Sequence, residues 1–214
     1  HKFTGHTVDA AGNRNQTDEV KIQINEYFGN ELSACAELSS ANSQYYLSNN
    51  FSATATCLNF TRGNVTLDCK GYSLIGDKTG LGLNITGQLN ITVKNCHFTN
   101  FSQTIELINT NLSRVINSTF SYNNGSMTGI YVSKGFNNTF YGNSFLYNNA
   151  TNGIGISLNY SRFNIIGNNN FTGNYMNRST SGFYPGLIGL FESTNNTINY
   201  TYLYQNRMMG SGPL

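Results

Sequence analysis

The chain has no tryptophan, only two prolines, and just 12 basic and 10 acidic residues among 214. That is about 10% charged, where a soluble domain ordinarily carries roughly 25%. A formal charge of +2 with no basic run excludes a nucleic-acid-binding face, because counterion release needs clustered Lys or Arg. No apolar stretch approaches the roughly 20 residues that span a bilayer, so no membrane span is expected. The opening His1-Lys2-Phe3 carries neither an initiator Met nor the apolar core of a signal peptide, and reads as the start of a processed or excised piece. What replaces charge is neutral hydrogen-bonding capacity: 35 Asn, 42 Ser plus Thr, and 22 Gly. The 14 Phe and 14 Tyr argue against a disordered polar tract, which is poor in aromatics.

A repeat of about 25 residues organises most of the chain. Asn64-Val65-Thr66-Leu67-Asp68-Cys69 aligns with Asn90-Ile91-Thr92-Val93-Lys94-Asn95-Cys96. Further copies begin at Arg114, Thr139 and Asn164, with a weaker one at Thr197-Ile198-Asn199-Tyr200. Phe98, Phe120, Phe145 and Phe171 keep this beat, and a second series, Leu83, Leu107, Val132 and Ile156, advances with it. Alternation of period two with Gly and Asn at the breaks reads as strands, and no window carries a 3.6-residue stripe. Two or three short strands per repeat, with no helix to cross over, predict a coiled chain in which each strand pairs in parallel with its equivalent one turn later. The expectation is an all-β parallel β-helix of five or six coils. Asn123, Asn148 and Asn174 are expected to form an internal amide ladder, and Tyr175 to Pro185 a protruding loop.

The segment from Cys57 to Gly76, followed by repeated Asn-x-Thr and Gly-Asn-x-Phe coils, resembles the right-handed parallel β-helix repeat proteins. The likeness is to the branch containing the periplasmic copper-protein accessory factor and large surface proteins of archaea and bacteria. It covers roughly residues 35 to 206 and implies a fold more than an activity, since such proteins include pectin-degrading enzymes, adhesins and plain rods. Residues 1–34 differ. Phe3 to Asn13 followed by Val20 to Ile24 reads as a β-hairpin, and Asp9-Ala10-Ala11-Gly12-Asn13 resembles the last hairpin of an immunoglobulin-like module. The expected organisation is a hairpin extension over 1–34 and a β-helix over 35–214.

Seventeen Asn-x-Ser/Thr sequons occur, where independent placement of the same residues gives about seven. The expected N-glycosylation sites are Asn15, Asn50, Asn59, Asn64, Asn84, Asn90, Asn100, Asn111, Asn124, Asn137, Asn149, Asn159, Asn170, Asn177, Asn195 and Asn199; Asn117, the remaining sequon, reads as inward-facing. Asn84, Asn100, Asn124, Asn149 and Asn177 stand out as corner or loop positions. Covalent glycans would hydrate a charge-poor rod, although Asn corners beside Thr-rich strands also generate sequons by repetition alone. Cys35, Cys57, Cys69 and Cys96 show no C-x-x-C metal pattern and are expected to form two disulfides, which fits an extracellular or cell-surface location. Three pairings are open; Cys35 with Cys57 and Cys69 with Cys96 is favoured because the latter pair sits one coil apart.

Catalytic chemistry finds little support. From Lys70 onward the acids are Asp77, Glu106 and Glu192, at unlike repeat positions, so the carboxylate pair of a glycosidase is not expected. Asp68 reads as a turn-amide acceptor. His1, His6 and His97 form no ligand set, the Met208-Met209 pair stands alone, and neither a metal nor another cofactor is expected. Tyr122 and Tyr147, with Tyr131 and Tyr141 nearby, read as cross-coil packing or, on an outward face, as a sugar-stacking strip. The expectation is a non-enzymatic, glycosylated structural solenoid. Its hairpin at residues 3–24 and its segment Asn199 to Tyr204 would support head-to-tail self-assembly. A carbohydrate-binding adhesin, with a surface polysaccharide as partner, is the alternative, and a polysaccharide lyase or hydrolase ranks below it.

Overall fold

The computed structural model describes residues 2–3, 6–16, 20–21, 29–177 and 186–209. Every regular element among them is a strand, and three parallel sheets run the length of a solenoid. The first sheet has eight strands, from Asn30–Leu32 to Thr197–Asn199. The second has seven, from Phe51–Ser52 to Tyr202–Tyr204. The third has nine, from Ala36–Leu38 to Arg207–Met209. Six steps along the second sheet, at roughly 4.8 Å each, give a stack about 29 Å tall.

The Phe series becomes one stacked column, whereas Leu83, Leu107, Val132 and Ile156 divide between two: Leu83 pairs with Ile105 and Ile156 with Ile130, while Leu107 pairs with Val132. Phe98 pairs with Phe120, Phe120 with Phe145 and Phe145 with Phe171. Their rings stack at centroid distances of 5.2, 4.7 and 4.6 Å. On the third sheet Leu83, Ile105, Ile130 and Ile156 stand in register, followed two residues on by Ile85, Leu107, Val132 and Leu158. All of these side chains are buried, so the core is one continuous column. A Cβ at Gly155 would strike the ring of Phe171 and the carbonyl of Leu187, which is why this tightly packed rung has no side chain.

Each regular coil turns at left-handed corners. In the sixth turn these are Tyr147, Tyr160, Phe163 and Asn168, with φ between 47° and 58°. A left-handed residue reverses the inward–outward alternation, so it points out while the next residue points in. The N–H of that next residue faces along the core, where an unpaired donor is costly. The following coil supplies the acceptor. Asn148 Oδ1 receives the N–H of Asn123, and Asn174 Oδ1 that of Asn148, as the sequence predicts. The same device runs at two further corners, through Ser113–Asn138–Asn164–Asn196 and through Ser118–Asn143–Asn169. Each amide also donates backwards: Asn143 Nδ2 to the Val115 carbonyl at 2.8 Å, and Asn148 Nδ2 to that of Phe120 at 2.9 Å.

Two boundaries differ from expectation. The first parallel pair, Asn30–Leu32 with Tyr45–Leu47, places the start of the ladder ahead of residue 35. Tyr175–Asn177, expected to open a loop, is a strand whose Tyr175 and Met176 pair with Asn149 and Ala150; residues 178–185 lie outside the described residues. The N-terminal hairpin pairs His6–Val8 with Arg14–Gln16 and Lys2–Phe3 with Val20–Lys21. Its second arm therefore begins at Arg14 rather than Val20. Asp9 closes its turn: the Asn13 side-chain amide donates to its Oδ2 and the N–H groups of Asn13 and Ala11 to its Oδ1, and these contacts hold its carboxyl below the usual range.

Candidate functional site

The outward corner residues are the surface most accessible to modification or ligands. One corner column reads Asn64, Asn90, Leu112, Asn137, Phe163 and Asn195, all left-handed, and four of these six are sequons. Asn is suited to this backbone because its short amide tolerates positive φ. Asn90 Nδ2 donates to Asn64 Oδ1 at 3.0 Å, and Asn84 Nδ2 to Asn59 Oδ1 at the same distance one sheet away.

Across all sequons, Asn15, Asn50, Asn64, Asn90, Asn117, Asn124, Asn137, Asn149, Asn177, Asn195 and Asn199 are exposed. Asn59, Asn84, Asn100, Asn111 and Asn170 are half-buried, and Asn84, expected at a corner or loop, lies inside the strand Leu81–Thr86. Asn117 corrects the inward-facing expectation: with φ of 49° it breaks the alternation, so both Ile116 and Asn117 turn away from the core. Asn159 departs in the opposite sense. It is 8% exposed, packed with its Nδ2 against the Tyr131 hydroxyl at 3.0 Å, and this burial leaves no room for a sugar in the folded chain.

The cysteines form Cys35–Cys57 and Cys69–Cys96, with Cα separations of 4.5 and 4.7 Å. Each joins neighbouring coils at the mouth of a strand. Beside the second bond, Asp68 accepts from the Lys70 N–H and the Asn95 amide and pairs with Lys94 at 3.1 Å. Burial alone would raise the Asp68 carboxyl; the Asn95, Lys70 and Lys94 donors outweigh it and hold the group below its ordinary value. Asp68 thus bonds turn amides, and also ties two coils ionically.

The acids after Lys70 stay apart. Asp77 accepts from the N–H and hydroxyl of Thr79, and Glu106 accepts from Gln103. Glu192 sits at a corner on a later coil. Among the described residues no group of three His, Cys, Asp or Glu side chains could hold a metal; His1 lies outside them.

Tyr122 and Tyr147 stack outward at 5.5 Å, 61% and 53% exposed. Tyr131 and Tyr141 do not join them: Tyr131 lies on the third sheet and Tyr141 on the first. The sequence reading missed a different surface, a cleft lined by Lys134, Phe136, Tyr160, Arg162 and Glu192. Its signal was present in the scarcity of charge after Glu106, where each remaining ionic side chain carries unusual weight.

Stacked parallel strands, corner ladders and an unbroken apolar column define a β-solenoid. The chain belongs to the right-handed β-helix family: residues 47–199 match the family model described as a right handed beta helix region. Comparison with curated proteins and with solved structures gives no match.

Proposed function

We propose that the chain is a non-enzymatic extracellular rod, hydrated by N-linked glycans, that stacks head to tail with further copies of itself. The carrying observation is the last described coil. Ile198, Leu203 and Met208 stand over Ile166, Phe171 and Met176, which are core positions, yet they are 45%, 58% and 58% exposed. Thr197–Asn199, Tyr202–Tyr204 and Arg207–Met209 end their sheets with one edge unpaired among the described residues. At the other end the same three sheets begin with Asn30–Leu32, Phe51–Ser52 and Ala36–Leu38. A second copy therefore offers strands of matching direction and spacing, and a contact between unlike ends propagates into a fibre. Two disulfides and the sequon excess support an exported setting, and the scattered acids support the absence of hydrolytic chemistry.

Light scattering on intact glycosylated protein tests this. Assemblies that grow with concentration, and that Leu203→Lys reduces to monomers, are expected; monodisperse wild-type monomer at high concentration refutes the reading. A second reading, an adhesin that binds carbohydrate, rests on the exposed Tyr122–Tyr147 stack. It requires glycan-array binding that Tyr122→Ala and Tyr147→Ala abolish.

A further inference from the structure

Between residues 107 and 206 the described chain carries only four charged side chains, Arg114, Lys134, Arg162 and Glu192. Three of the four line one cleft of about 560 Å³, within the ordinary range for small-molecule sites. The later coils dispense with charge almost everywhere else and concentrate it here.

The corner geometry explains the convergence. Lys134, Tyr160 and Glu192 are successive left-handed residues, with φ of 55°, 47° and 48°, so their side chains leave the rod one above another. Lys134 N–H donates to the Asn159 carbonyl and Tyr160 N–H to that of Phe191, which fixes the stacking. Two residues further on, Asn111, Phe136, Arg162 and Thr194 form a second wall of parallel bridges. The floor between the walls is Gly135 and Ser161, both buried. Asn111 is held into its wall by the Phe136 N–H, at 2.8 Å from its Oδ1. Cation and ring thus alternate on both walls: Lys134 opposite Phe136, then Tyr160 opposite Arg162. The Arg162 guanidinium lies 5.7 Å from the centre of the Phe136 ring, and among the described residues neither cation has a carboxylate partner.

We propose that this cleft binds a short acidic saccharide, its carboxylate held between Lys134 and Arg162. A guanidinium fork matches a carboxylate, and the ammonium adds a second, less directional charge. The faces of Phe136 and Tyr160 suit the C–H faces of pyranose rings, and Glu192 accepts from sugar hydroxyls. An acidic peptide would use the cations but leave the ring faces idle. The site lies apart from the Tyr122–Tyr147 stack, and the inference goes beyond the rod reading because it needs no self-assembly.

Isothermal titration of the full chain with hyaluronan tetrasaccharide, against neutral chitotetraose, provides the test. The acidic sugar is expected to bind at least tenfold more tightly, and added salt to weaken it. Arg162→Gln and Lys134→Gln should each reduce affinity about fivefold or more, whereas Arg114→Gln, the same charge loss outside the cleft, leaves it unchanged. Equal binding of chitotetraose, equal binding of hexa-aspartate, indifference to Arg162→Gln and Lys134→Gln, or no binding at millimolar saccharide would each overturn the proposal. The wild-type preference for the acidic sugar is read without any variant, so a misfolded substitution does not decide the result.

Discussion

The two halves of the solenoid solve one problem differently. At the corner that follows the first sheet, the early coils place Cys69 and Cys96, covalently joined; the later coils place Ser118, Asn143 and Asn169, joined by amide hydrogen bonds. At the neighbouring corner Val65 and Ile91 give way to Ser113, Asn138 and Asn164. The handover falls near residue 101, where the N–H of the apolar Phe101 is already received by Asn123 Oδ1 from the next coil. Covalent pins suit the early coils, whose third-sheet strands are short, as Leu58–Phe60 and Leu81–Thr86 are, while the later coils gain the stacked Phe column and the long third-sheet strands Asn124–Ser133 and Asn149–Asn159. In a repeat architecture each coil is stabilised mainly by its neighbours, so the halves should fail separately.

Reduction of both disulfides gives the largest expected effect, about 3 kcal/mol for each loop of this size. Amide exchange should then rise throughout residues 35–96 while the Phe120–Phe171 region stays protected; uniform loss of protection would mean that the two halves form one cooperative unit. Phe145→Ala is the mirror experiment. Removing the middle ring of the stack should cost about 3–5 kcal/mol, seen as earlier unfolding of the later coils in a denaturant titration. Asn148→Ala should follow, since it strands the buried Asn123 N–H, at about 1–3 kcal/mol. If Asn148→Ala melts like the wild type, the ladder is incidental to the later coils.

The smallest effect concerns pH and touches only the early half. The Asp68 carboxyl is lowered in the folded chain, so its contribution is complete above its unfolded value near 3.8 and fades as pH falls through the lower folded value. Wild type should therefore melt above Asp68→Asn at neutral pH, with the gap closing in acid. A gap that persists at pH 2 would show that the carboxylate is not its source.

Much of this was legible beforehand because a solenoid writes its geometry as period. The Phe column and the Asn123–Asn148–Asn174 ladder follow from equal spacing alone; the second series does not, since equal spacing put Leu107 opposite Leu83, where a shorter coil pairs Ile105. The ladders through Asn138 and Asn143 were missed because serine holds their early rungs, which hides the repeat. Asn117 was misread because strand alternation was carried through a corner that reverses it. The Lys134–Arg162–Glu192 cleft was missed for a related reason: its two walls lie two residues apart around a left-handed corner, and Glu192 follows an interruption of the period at residues 178–185.

Spacing by itself determined that the chain winds in parallel coils with aromatic and aliphatic residues inside, because a recurring strand pairs with its own copy one turn later. Tertiary structure decided which polar side chains face outward and meet: it exposed Asn117, buried Asn159 against Tyr131, and drew three distant charges into one cleft. The physical reason is the left-handed corner. One residue with positive φ inverts the side on which every following residue emerges, until the next corner inverts it again.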